Sequence, residues 1–185
     1  MIHPSVHIPL PTKNFEAYKL QKNLWIVLLH ANRIPPHVGL IINGNYNSLT
    51  IKGHELDIDL DVLLKTISQK KIETMFIKLV HHPVFSYDYQ LQIFKEYIKK
   101  FNQVKAFEAS CLSPIKLFFQ EFYALQLNET ELLFEFMQRL QTNNYLDNVQ
   151  SLNFTLPLNY IELPFYTNER LNDVITKERL PYYND

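Results

Sequence analysis

His37-Val38-Gly39-Leu40-Ile41-Ile42, then Asn43-Gly44-Asn45, then Tyr46-Asn47-Ser48-Leu49-Thr50-Ile51-Lys52 read as a strand, a tight turn and a second strand. Asn-Gly between two apolar runs is the strongest short hairpin signal, because both residues take positive φ at little cost. An antiparallel sheet is therefore expected. All three glycines of the chain, Gly39, Gly44 and Gly53, fall between His37 and His54. The turn explains Gly44. Gly39 lies inside a strand pattern, where glycine costs stability and marks a bulge or a close approach, so something is expected to pack tightly against it.

Working outward, residues 24–30 form a short run rich in branched and aromatic side chains that stops at Arg33-Ile34-Pro35-Pro36, as a buried strand does. Residues 74–80 read as another strand, preceded by an amphipathic helix that starts after Asp59. Leu91, Phe94, Ile98 and Phe101 recur every three or four residues and predict a helix over 87–101, with Lys95, Lys99 and Lys100 turned to water. Two strongly apolar helices follow, over 114–127 and 129–140, the second started by Thr130 and Glu131 with Asn128 or Glu129 as its cap. The expected fold class is α+β, an antiparallel sheet of the 24–30, 37–42, 46–52 and 74–80 strands packed against the three later helices. Within a single domain over 1–185, residues 1–19 are expected to be a mobile lead-in and 20–140 the core. Residues 152–185, with a short helix over 169–179, are expected to wrap over that core.

Composition narrows the function classes. At 185 residues the chain has the length of one domain, and 46% hydrophobic with 20% charged residues is ordinary globular composition. Eighteen Lys and Arg against nineteen Asp and Glu give a net charge of −1, so no global field favours nucleic acid or an anionic membrane. The N-terminus has no basic start followed by an apolar core, which makes cytoplasmic residence the expectation. No apolar run approaches the roughly 18 residues that span a bilayer, although lipid contact is left open. One cysteine excludes an internal disulfide framework and a Cys-rich zinc ribbon.

That cysteine, Cys111, stands in Ala109-Ser110-Cys111-Leu112-Ser113-Pro114, directly before a helix with Pro114 in its first turn. A thiol becomes a nucleophile only as thiolate, which a helix N-terminus and an adjacent imidazolium both favour. His37 opens one hairpin strand and His54-Glu55 close the other, so a rigid strand-borne base is available. The competing reading is that Cys111 is a small buried hydrophobe, the common fate of a lone intracellular cysteine.

The order of His37-Val38-Gly39, a second strand ending in His54-Glu55, and Cys111 at the start of an apolar helix resembles the circularly permuted papain-like thiol enzymes. These are the NlpC/P60-like branch that includes lecithin:retinol acyltransferase-like proteins and bacterial amidase or lipid-hydrolase relatives. The resemblance spans roughly residues 20–127. It implies a papain-like permuted fold and a cysteine hydrolase or acyltransferase acting on an amide, ester or thioester. In that scheme His37 is the base, Cys111 the nucleophile, and His54 or Glu55 orients the imidazole. The acyltransferase relatives carry Asn-Cys where this chain has Ser110-Cys111.

No cofactor or metal is expected. His81 and His82 are adjacent on a strand end and point to opposite sides, and the glycines form no phosphate loop. The width of apolar residues between Leu117 and Leu140 fits either a helix pair buried on most sides or an acyl pocket or partner surface. Three function classes follow: a thiol enzyme with a small-molecule, peptide or acyl substrate, an inactive relative that binds such a group, or an interaction module using the aromatic helices.

Overall fold

The computed structural model describes residues 4–128 and 131–179. His3, the helix-start residues Glu129 and Thr130, and Pro181 lie outside them. The Asn-Gly turn forms as its sequence demands, with Asn43 at φ 50° and Gly44 at φ 80°. It joins β3 (His37–Ile42) to β4 (Asn45–Thr50) in antiparallel register, with Ile42 opposite Asn45 and Leu40 opposite Asn47.

With β2 (Leu24–Leu29), β5 (Gly53–Asp59), β6 (Thr74–Leu79) and β7 (Leu146–Leu152) these make, among the described residues, a six-stranded sheet in the order β5-β4-β3-β2-β6-β7. Each strand pairing in it is antiparallel. The helices are α1 (Leu60–Gln69), α2 (Tyr87–Lys99), α3 (Ser113–Tyr123), α4 (Leu133–Thr142) and α5 (Asn168–Arg179). The molecule is thus mixed α and β with antiparallel sheets, as the α+β expectation requires.

Strand alternation sorts the core into two layers. Trp25, Val27, Ile41, Tyr46 and Phe76 face α1 through Leu60, Leu63 and Ile67. Leu24, Ile26, Leu28, Val38, Leu40 and Ile77 face the opposite side, where Phe94, Phe118, Phe119 and Phe136 of α2, α3 and α4 pack. The sheet therefore divides the core, which explains why β2 is buried on both faces and shows no polar alternation. The broad apolar width between Leu117 and Leu140 is largely core: Phe118, Phe119, Phe136, Met137 and Leu140 are all inaccessible.

Four expectations are corrected. Residues 46–52 do not form one strand ending in His54-Glu55. The chain turns at Ile51-Lys52, Gly53 takes φ 120°, and His54-Glu55 begin a separate strand, β5. The lead-in contains β1 (Ser5–Pro9), paired with β8 (Tyr160–Pro164), because Ile8 and the following Leu10 bury their side chains almost completely. The sheet expected from four strands also takes in β7, whose polar residues concealed it. Finally, α3 stops at Tyr123, where Ala124 adopts the left-handed conformation, and α4 starts only at Leu133.

Candidate functional site

Cys111 lies one residue before Leu112, the cap of α3, so the sulfur sits just outside the helix. The segment is tied down locally: Ser113 Oγ accepts from Ser110 N at 3.0 Å and Ser110 Oγ accepts from Leu112 N at 3.2 Å. Burial pushes the Cys111 thiol up to about 11. Backbone N–H groups of Val38, Cys111 and Leu112 aim at the sulfur and oppose that shift without cancelling it. Desolvation outweighs the helix start. At pH 7 a thiol with that pKa is ionised in about one molecule in 10⁴.

His37 is placed by β3. It pairs with Leu29, and residues paired across strands share a face, so it belongs with Gly39 and Ile41 on the α1 side. Cys111 instead packs against the layer that holds Val38 and Leu40. Among the described residues, no hydrogen bond joins the Cys111 sulfur to the His37 ring. Burial, reinforced by nearby His30, drives the His37 imidazole down to about 4, so it is neutral at pH 7. The expected nucleophile and base are brought to the same end of the sheet region, but not into a pair.

What His37 does meet is Ser48. Its Nε2 stands 3.2 Å from Ser48 Oγ, and Ser48 Oγ donates to Glu55 Oε2 at 2.8 Å. A hydroxyl has one proton, so with Ser48 donating to Glu55 it must accept from His37 Nε2–H, which fixes the tautomer with Nδ1 as acceptor. Between His54 and Glu55, only Glu55 reaches this chain of hydrogen bonds. The His54 ring is exposed and turns to the backbone carbonyl of Phe101. Ser48 was missed by sequence reasoning, although a signal existed. A two-residue turn with Ile42 opposite Asn45 puts Ser48 opposite Gly39, diagonal to His37 on the same face.

The space around the thiol is small. A cavity of about 30 Å³ lies beside Cys111, walled by Pro35, Pro36, Val38, Leu133 and Tyr166. That holds a water or two and no acyl chain. A larger cleft of about 420 Å³ adjoins it, where the start of α4 meets residues 165–169, and Glu131, Leu132 and Tyr166 border both. In its wall Glu131, only 7% exposed, accepts from Arg139 Nε at 2.8 Å and from Asn128 N at 3.2 Å. Sequence reasoning did not single out Arg139 or Tyr166.

His81 and His82 serve packing. His81 meets Tyr87 edge-on, while His82 tilts against Phe85 and meets Tyr123 edge-on. No group of three His, Cys, Asp or Glu that could hold a metal ion occurs among the described residues. No helix among them is long and apolar enough to cross a membrane. Comparison with protein-family models, with curated proteins and with solved structures finds no match to this chain.

Proposed function

We propose that this chain is a non-catalytic binding module built on a permuted NlpC/P60-like plan, in which Cys111 is a packing residue and the neighbouring cleft receives the ligand. The observation that carries this reading is the state of the thiol. It is held neutral by desolvation, beside a cavity too small for an acyl group, and among the described residues no imidazole hydrogen-bonds its sulfur. Cysteine catalysis needs the thiolate and a base within hydrogen-bond reach, so the neutral thiol and the placement of His37 on the other face of the sheet support the binding reading. The cleft of about 420 Å³, by contrast, has the size of a small-ligand site and a few convergent polar groups.

One observation favours a second reading. The Glu55–Ser48–His37 chain orients an imidazole with Nδ1 free to accept, which is what a cysteine hydrolase or acyltransferase requires of its base. For that reading the thiol must move to His37 as substrate arrives. Incubation with p-nitrophenyl acetate followed by intact-mass measurement separates the two. A binding module leaves the mass unchanged at neutral pH. A stoichiometric acetyl adduct that vanishes in both Cys111→Ala and His37→Ala would overturn it.

A further inference from the structure

The cleft beside Cys111 has a charge and ring pattern that specifies a ligand class. Among the described residues its wall carries three carboxylates, Glu131, Glu135 and Glu169, against one guanidinium, Arg139. The Arg139–Glu131 ion pair removes one charge of each sign. Glu135 accepts from Leu132 N at 2.7 Å and so answers the start of α4, and Glu169 stands in the first turn of α5. Each helix start offers about half a positive charge, so the two carboxylates are offset by roughly one unit, which leaves about one net negative charge among the described residues that line the cleft. Anions are therefore disfavoured there, because the helix starts already have their own.

The apolar part of the wall consists of Leu132 and three aromatic rings. Phe134 lies 5.1 Å from Phe165 in a tilted pair and 5.8 Å from Tyr166 edge-on, and Phe165 is 45% exposed. Ring faces carry negative quadrupole and attract a cation within about 6 Å, most strongly when it is partly desolvated. An exposed ring in a pocket with one unbalanced negative charge complements a single positive charge on an alkyl stem.

We infer that this cleft binds an alkylammonium group, either a lysine side chain of a peptide or a free amine. The inference rests on the binding-module reading and names its ligand. Cleft volume limits the ligand to a lysine-sized group with its immediate neighbours.

The test is a ¹⁵N-HSQC titration of the full chain with three probes: Nα-acetyl-lysine methylamide, tetramethylammonium, and the neutral Nα-acetyl-norleucine methylamide. Saturable shifts confined to residues 131–139 and 165–169 are expected for the lysine probe, with a Kd of the order of 1 mM. Norleucine should bind at least about tenfold more weakly, a difference of one charge contact. Glu169→Gln and Phe165→Ala should each weaken lysine binding about three- to tenfold while leaving the remaining spectrum intact. Response to lysine but not to tetramethylammonium assigns a peptide side chain, and the reverse assigns a quaternary amine. No shift at about 50 mM, or equal binding of norleucine, overturns the inference. An acetyl adduct on Cys111 would overturn the binding-module reading while leaving amine binding standing, so the two failures are told apart.

Discussion

The ring of Tyr46 occupies the place of a side chain on Gly39. A Cβ at position 39 would stand 2.5 Å from Tyr46 Cε2 and 2.7 Å from its hydroxyl oxygen. The close approach expected from a glycine inside a strand is thus a ring laid over the neighbouring strand. Tyr46 is 1% exposed and walled by Trp25, Val27 and Ile41, so it has little room to retreat.

Gly39→Ala is therefore expected to destabilise the fold by about 1–3 kcal/mol, the usual penalty for overpacking a filled core. Urea unfolding at pH 7 measures it. Unchanged stability would mean that the ring is free to move.

Tyr46→Phe has the opposite sign. The buried hydroxyl faces Ser48 without reaching hydrogen-bond geometry, and a buried donor without a partner costs free energy. Removing it should leave stability unchanged or raise it by up to about 1 kcal/mol. A loss larger than that would show that the hydroxyl is bonded in solution.

The pH dependence of stability follows from His37. Its imidazole titrates at about 4 in the folded chain against an ordinary value of 6.5, so the folded state disfavours the proton. The associated stability is present above pH 6.5 and is lost as pH falls through 4. His37→Gln should be less sensitive than the wild type between those values, by up to about 3 kcal/mol in urea unfolding free energy. Parallel acid profiles for the two proteins would contradict the burial of this ring.

The Arg139–Glu131 pair offers a fourth check. Glu131 is nearly buried while the Arg139 side chain is 40% exposed, so solvent screens the pair and the full cost of a buried charge does not apply. Arg139→Ala should cost about 1–2 kcal/mol. Combining it with Glu131→Gln should recover part of the loss, read as a positive coupling in a double-mutant cycle. Simple additivity would show that the two side chains do not interact.

Much of the sheet was legible because its signals are local. Asn43-Gly44 needs no tertiary context to turn, and the apolar run over residues 24–30 has no other stable place than a buried strand. What escaped notice depends on partners distant in sequence. Leu146–Leu152 carries Asp147, Asn148, Gln150 and Ser151, and becomes a strand because β6 supplies its ladder. Gln150 is buried yet satisfied, accepting from Glu16 N at 2.9 Å across the fold. In the site, the opposition of His54 and Glu55 was readable from strand period. The face of His37 was also readable, since it shares the parity of Gly39 and Ile41. Where Cys111 would come to rest was not, because the packing of the loop before α3 against Val38 is a tertiary event with no local sequence sign.

The state of Cys111 is read most directly from its rate of alkylation by iodoacetamide from about pH 5 to 11, compared between the wild type and His37→Ala. A half-buried thiol without an imidazole partner predicts a single titration near pH 11, with reaction at pH 7 slower than that of a free cysteine by at least about 10²-fold and the same profile in both proteins. A fast plateau extending below pH 7 that disappears in His37→Ala would establish a thiolate–imidazolium pair and contradict a packing role for Cys111.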